Sequence, residues 1–503
     1  MTPQAAYDEL IRRSKEEALL HSCAAVLEWD ELTYMPPGGV TGRANQLAYL
    51  AGLEHDRATD PRLGELLSTV ENSSFLADPE GLQAVNVREM RRSYNRLTRL
   101  PRSLVEELAR LVPLAQQQWS TSRQEADFAS FRPWLEKIVA LKRQEADCIG
   151  YPHEPYDALL DDYEPGTRTQ DIVGLFRSLR DELAGLVRAI GQSRKRPKSA
   201  ILRRTYAADN QQAFGREVAS ALGFDFERGR IDLAVHPFCS QIGIGDCRIA
   251  IRYSTNNFSD AFFSLLHEVG HGLYDQGLDP ADDGTPVGTV TSVGLSESQA
   301  RLWENLVGRS LPFWKYFFPR ARQAFPEALG KVSLTDFHAA VNQVGPSLNR
   351  VQADEVTYNL HILIRFELER ALVKGNLSVP DLPAAWNDAY KSTLGIVPAN
   401  DAEGCLQDGH WSEGLIGYFP TYTLGNLFAA QLFAKARAEL GNLDQAFAHG
   451  QFAGLLDWLR DKIYRQGSRF AAARLVESAT GAKPDHRPLI QGLREKYGEL
   501  YGI

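Results

Sequence analysis

Residues 264–273 contain His267-Glu268-Val269-Gly270-His271, an H-E-x-x-H pattern. On a helix, positions four apart differ by only about 40° in azimuth, so His267 and His271 can grip one cation from the same face. Glu268 stands about 100° further round. From there it reaches an attacking water without ligating the ion. Two imidazoles with an adjacent carboxylate are the working set of a metal-dependent hydrolase.

Such chemistry requires a helix under the motif, and the local sequence supplies one. Ser259 and Asp260 are candidate N-caps, and Phe262, Phe263, Leu266, Val269 and Leu273 form an apolar stripe. Gly277 and Asp279-Pro280 mark the end. Gly270 costs roughly 1 kcal/mol inside a helix relative to Ala, which predicts close approach of another backbone or of substrate there.

A hydrolytic site of this type also needs a third protein ligand, usually a Glu from a second helix, with the fourth position left open. Residues 293–305 read as that helix, reached through a loop rich in Gly, Pro and Asp from Gly277 to Gly288. The helix offers two carboxylates, Glu297 and Glu304, between which position alone does not decide.

Further motifs stand along the chain in a fixed order. They are His236-Pro237-Phe238, Asp246-Cys247-Arg248-Ile249-Ala250, HEVGH, Ser296-Glu297-Ser298-Gln299, Arg350 through Ala353-Asp354, and Gly404 through Gln407-Asp408-Gly409-His410-Trp411. This array resembles the carboxypeptidase Taq family of thermostable metallocarboxypeptidases, whose members carry H-P-F, D-x-R-x-T, H-E-x-x-H, H-E-S-Q, R-x-x-A-D and G-x-x-Q-D-x-H-W in that order. Stretches around Trp29-Asp30, Tyr156-Asp157, Tyr358-Asn359 and Tyr418-Phe419-Pro420 extend the likeness through nearly the whole chain. Two positions depart from the pattern: Ser296 replaces the His before the ligand Glu, and Ala250 replaces Thr.

The resemblance implies a mainly α, two-lobed fold with a deep cleft, a homodimer, and release of residues one at a time from peptide C-termini. It also distributes roles. His267, His271 and Glu297 would hold one divalent metal, most simply zinc with cobalt as an alternative, and Glu268 would act as general base. His410 and Tyr422 would stabilise the developing oxyanion, while Arg350, His236, Tyr418 and Arg248 would contact substrate. Arg350 suits a terminal carboxylate because its planar guanidinium donates two parallel hydrogen bonds. Its structural alternative is an ion pair with Asp354, and for Arg248 one with Asp246. His361 reads as a structural histidine. The competing functions are a helical oligopeptidase cutting internal bonds and a non-enzymatic scaffold with a structural metal; the second fits poorly, since structural zinc sites are normally closed by four protein ligands.

Composition agrees with a globular enzyme. The chain has 503 residues, 44% of them hydrophobic, enough for a large core. A formal charge of −9 argues against nucleic acid or an anionic membrane as partner, and the short basic run Arg194–Lys198 reads as an exposed loop between helices. No basic leader followed by an apolar core opens the sequence, and no apolar run approaches the ~20 residues of a membrane span. Five scattered cysteines without C-x-x-C suggest reduced thiols and a cytoplasmic setting. Cys239 and Cys247 fall close to the motifs, where pairing or metal binding competes with core or loop packing, the favoured reading.

Helical periodicity runs through 1–30, 43–68, 78–98, 102–118, 129–149 and 168–192. The exception is 228–254, where alternating residues predict a small β-hairpin or sheet inserted ahead of the metal helix. An edge strand there could pair with an extended peptide, or be purely structural. With no internal repeat or clear linker, residues 1–503 read as a single catalytic unit.

Overall fold

A computed structural model describes residues 1–503. The fold is mainly α. Helices Pro3–Thr33, Leu82–Arg99, Arg102–Glu125, Phe128–Ile149 and Thr169–Gln192 stand where the periodicity places them, several of them longer than expected. The predicted helix over 43–68 is instead two, Val40–Ala58 and Pro61–Glu71. The break falls where Asp60 accepts from the Arg62 N–H and Pro61, with its fixed φ and missing N–H, opens the next helix. Apolar spacing carried across that junction hid it.

The basic run lies between helix Thr169–Gln192 and the 3-10 turn Ser199–Arg203, as a loop. No helix is long and apolar enough to cross a membrane. The N-terminal helices share a small core of their own, formed by Ala6, Leu10, Leu66, Leu67, Val70, Val87 and Met90. A second, contiguous core runs from Leu104 to Tyr501 and surrounds the motif-bearing helices.

Residues 228–254 form a three-stranded sheet: β1 (Gly229–Leu233), β2 (Phe238–Gly243) and β3 (Asp246–Ile251), in spatial order β1-β3-β2. β2 and β3 make the antiparallel hairpin that the alternation predicts. β1 adds to the far side of β3 in parallel, a pairing that local pattern does not encode. Ala250, one of the two departures from the family pattern, is fully buried in the central strand.

The HEVGH helix, Phe258–Asp275, follows directly. Its N-cap is Asn257 rather than Ser259 or Asp260: the Asn257 side chain accepts from the Asp260 N–H, so Asp260 lies in the first turn. Phe258, Phe262, Phe263, Leu265, Leu266, Val269 and Leu273 are buried along it. Each contributes roughly 1.5–3 kcal/mol of burial free energy, which fixes the helix against the core. Residues Val293–Arg301 then form the second helix, antiparallel chain reversal being provided by the loop, and it passes into a π-helical stretch, Leu302–Val307. A Cβ at Gly270 would stand 2.5 Å from the Ala300 Cα and 2.7 Å from the Gln299 carbonyl oxygen. The glycine therefore lets the two helices touch backbone to backbone, and this contact brings the motif histidines alongside Glu297.

Candidate metal centre and substrate site

His267, His271 and Glu297 converge, each offering one ligand atom within 4.8 Å of the others. His267 Nε2 lies 3.7 Å from Glu297 Oε2, and His271 Nε2 lies 3.9 Å from Glu297 Oε1. These separations are too long for hydrogen bonds. A shared cation bound at about 2.0–2.2 Å would hold such atoms about 3.4 Å apart. Glu297 Oε2 is buried and has no hydrogen-bond partner, an expensive condition that a cation would relieve. The donor set, two imidazoles and a carboxylate with one position left open, fits a divalent metal.

The far nitrogen of each imidazole is held. His267 Nδ1 lies 3.2 Å from Glu304 Oε2, and His271 Nδ1 lies 2.8 Å from Ser296 Oγ. Such partners would fix the ring orientation and leave each Nε2 free to hold a cation. Glu304 stands behind His267, on the ring nitrogen away from Glu297. It also receives Arg301 at 3.1 Å and Arg309 at 3.2 Å. Burial alone would raise Glu304, yet Arg301, His267 and Arg309 hold its carboxyl well below the usual range. Burial and the neighbouring His267 lower His271 to about 4, so its ring is neutral and fit to ligate at neutral pH.

Glu268 is buried at 8% exposure next to the cluster without belonging to it. Burial, with Glu297 and Glu304 adding to it, pushes its carboxyl up to about 7 in the metal-free chain.

Helix Pro420–Leu440 supplies the opposite wall. A Cβ at Gly425 would lie 2.7 Å from the Glu297 Cβ, so this helix presses against Glu297 at a glycine. Tyr422 stands one turn earlier. His410 Nε2 lies 3.1 Å from the Tyr422 hydroxyl, its ring stacks on Phe419 at 4.5 Å, and Tyr418 and Tyr422 pack at 5.4 Å. Burial lowers His410 to about 4 and raises both phenols. All three groups are therefore uncharged at neutral pH, with protons to donate.

Arg350 is 7% exposed and sits in a single 3-10 turn, Arg350–Gln352, not in a helix. Its expected alternative partner, Asp354, is occupied elsewhere, accepting from the backbone N–H groups of Gly345, Val356 and Thr357. Arg350 instead pairs with Asp408 at 2.8 Å and donates from Nη1 to the Tyr358 hydroxyl at 3.0 Å. Asp408 also takes Arg365 at 2.6 Å. Burial opposes the charge, but the two guanidiniums hold Asp408 far below the ordinary carboxylate range. The Arg350 guanidinium lies 5.0 Å from the Tyr422 ring centre.

His236 and Arg248 are placed differently. His236 is exposed on the β1–β2 connection. Arg248 makes a two-point pair with Asp246 at 2.9 and 2.6 Å, and its guanidinium covers the Trp29 ring at 4.3 Å. No hydrogen bond or ion pair links either residue to the metal ligands. His361 is fully buried, with Nδ1 2.9 Å from the Tyr390 hydroxyl in a hydrogen bond. Sequence reasoning names Glu304 only as a competing ligand, and it does not identify Arg301, Arg365 or Asp408 as part of this architecture. The only available signal was Asp408's place beside His410 in one motif.

Comparison with known proteins settles the family. The model for "Carboxypeptidase Taq (M32) metallopeptidase" matches residues 9–497. The chain belongs to the carboxypeptidase Taq (M32) family. It is 50% identical over 511 aligned positions, covering both chains completely, to thermostable carboxypeptidase 1 of Thermus thermophilus. Carboxypeptidase 1 of Bacillus subtilis is 35% identical, with 95% of each chain covered. The crystal structure of an M32 carboxypeptidase from Deinococcus radiodurans R1 superposes with a TM-score of 0.96 at 41% identity, covering 99% of this chain and 100% of that one. This M32 chain is a metal-dependent peptide hydrolase, and the family's mainly helical fold is the one described above.

Proposed function

We propose that the protein is a carboxypeptidase that removes residues from free peptide C-termini, with His267, His271 and Glu297 holding one divalent ion, most simply zinc. The observation that carries this reading is the open three-ligand cluster with the buried Glu268 carboxylate beside it. When bound, the cation supplies Lewis acidity to the scissile carbonyl and to the attacking water. Glu268 takes the proton from that water and hands it to the departing amine. Tyr422, with His410 on its hydroxyl, donates to the oxygen on which negative charge develops.

Arg350 is the anchor for the terminal carboxylate. Its Nε–H donates to Asp408 and an Nη1–H to the Tyr358 hydroxyl, with Nη2 2.8 Å from Asp408 Oδ1, and the N–H groups not so engaged would serve the ligand. Asp408 fixes the plane of the guanidinium, and Tyr418, packed on Tyr422 at 5.4 Å, would contact the substrate beside it. His236, on the β1–β2 connection, and Arg248, on the central strand, are assigned to contacts further along the peptide. We read residues 1–503 as one catalytic unit, since the N-terminal helices, though they have a core of their own, join the sheet beside the metal helix through Tyr34–Asp232 and Arg248 over Trp29. The five free cysteines support a cytoplasmic setting, and family membership supports a homodimer.

The test is mass spectrometry of a defined peptide incubated with zinc-loaded or cobalt-loaded enzyme. A ladder shortened from the C-terminus is expected. Internal fragments would instead identify an oligopeptidase, and no cleavage with any metal would remove the catalytic reading.

A further inference from the structure

Two thiols and a carboxylate outside the catalytic centre meet at the end of the HEVGH helix. Cys239 on β2 and Cys247 on β3 have their sulfurs 3.5 Å apart, and Cys239 Sγ lies 3.8 Å from Asp275 Oδ2. Cys247 is buried, while Cys239 and Asp275 are half-buried. The thiols press on the helix itself: a Cβ at Gly272 would come within 3.2 Å of Cys247 Sγ. Asp275 occupies the last turn of the helix, where the backbone dipole disfavours a negative charge. No ion pair offsets it, and its one side-chain hydrogen bond is a long contact with Cys239. The carboxylate thus faces two sulfurs and lacks a cation.

A disulfide is the obvious alternative, and the strand register disfavours it. Cys239 is level with Ile249 and Cys247 with Gln241, so the two cysteines are diagonal neighbours on one face. Diagonal positions lie about 7–8 Å apart, beyond the Cα span of about 4.4–6.8 Å that a disulfide accepts. The sulfur separation is also well over the ~2.05 Å of an S–S bond. It does match a tetrahedral ion: two sulfurs each about 2.3 Å from zinc stand about 3.8 Å apart, and a sulfur and a carboxylate oxygen about 3.5 Å apart.

We propose that Cys239, Cys247 and Asp275 form a second cation site, selective for thiophilic divalent ions such as zinc or cadmium, that staples the β2–β3 hairpin to the last turn of the catalytic helix. Binding converts two S–H groups to thiolates and releases two protons, so two thiolates and one carboxylate meet a dication and leave a net charge of −1. Water or the second oxygen of Asp275 completes the coordination. A hard ion such as magnesium is excluded by the sulfur donors.

The test is titration of the metal-free, full-length enzyme, kept reduced, with cadmium ion. Two ions per chain are expected, one of them developing sulfur-to-metal charge-transfer absorption. In untouched wild-type protein, cadmium should slow alkylation of Cys239 and Cys247 at least about tenfold while leaving exposed Cys23 unaffected. The His267→Ala/His271→Ala variant should keep the sulfur band and one ion. Cys239→Ser should lose the band and keep the other ion. A single ion per chain without sulfur absorption, alkylation indifferent to cadmium, or a Cys239–Cys247 disulfide in protein isolated without air would each overturn the site.

Discussion

The Ser296 hydroxyl oxygen lies 2.8 Å from Nδ1 of His271. Ser296 is the residue that departs from the family's H-E-S-Q pattern, and it sits beside Glu297 while contacting the imidazole of His271 on the other helix. For His271 to offer Nε2 to a cation, Nδ1 must carry the proton, and Ser296 accepts it. Ser296→Ala is therefore expected to weaken metal affinity by about 10- to 100-fold, the range for loss of a partner behind a ligand. Competition against a chelator measures this, and an unchanged dissociation constant would show that the hydroxyl is incidental.

Glu297 and Glu304 lie on one continuous helical run but do different work, and their variants should separate. Glu297→Ala removes a ligand and should strip metal and activity together. Glu304→Gln keeps the shape but releases His267, Arg301 and Arg309, and should weaken metal binding about 10- to 100-fold without abolishing it. Metal content after dialysis distinguishes them. Full occupancy in the Glu297 variant would refute the ligand assignment.

Glu268→Gln preserves size and hydrogen bonding but cannot take a proton. Turnover should fall by about 10²- to 10⁴-fold with metal retained. Its acidity also sets the sign of the pH dependence. The working form is the carboxylate, so kcat/KM is lost as pH falls through its pKa. Burial places that value at about 7 in the metal-free chain, and a neighbouring dication pulls it lower. The acidic limb should accordingly appear at or below that pH in the wild type and vanish from the residual activity of the variant. A profile flat down to the carboxylate range would argue against Glu268 as the base.

Arg350→Ala should cost roughly 2–5 kcal/mol in kcat/KM, the range for truncating one member of a buried charged pair. Arg365 still pairs with Asp408 in that variant, which protects the fold. Amidation of the peptide C-terminus should mimic the substitution, and combining the two should add little, because both delete one interaction. Strictly additive losses would mean that Arg350 and the terminal carboxylate never meet.

What the sequence by itself determined is periodic or local. Helical spacing around HEVGH sets His267 and His271 on one face whatever surrounds them, and an apolar stripe every three or four residues specifies most helices. The ordered motifs pointed to Glu297 over Glu304 through resemblance, not physics. Gly270 announced a close contact because its cost had to be offset somewhere.

Which contact it was, only the tertiary structure decided. The Gly270–Ala300 backbone approach brings Glu297 to the histidines and Glu304 behind His267. Both carboxylates look alike along the chain and, two turns apart, share one helical face; they differ in the level at which the second helix meets the first, which puts Glu297 by Nε2 of His267 and Glu304 by Nδ1. The same limit applies to Arg350, for which sequence distance suggested Asp354 but packing delivered Asp408, 58 positions away. It applies again to β1, which joins β3 in parallel. Charge pairing and strand order depend on free energy summed over contacts between distant segments, and no local window of residues contains those terms.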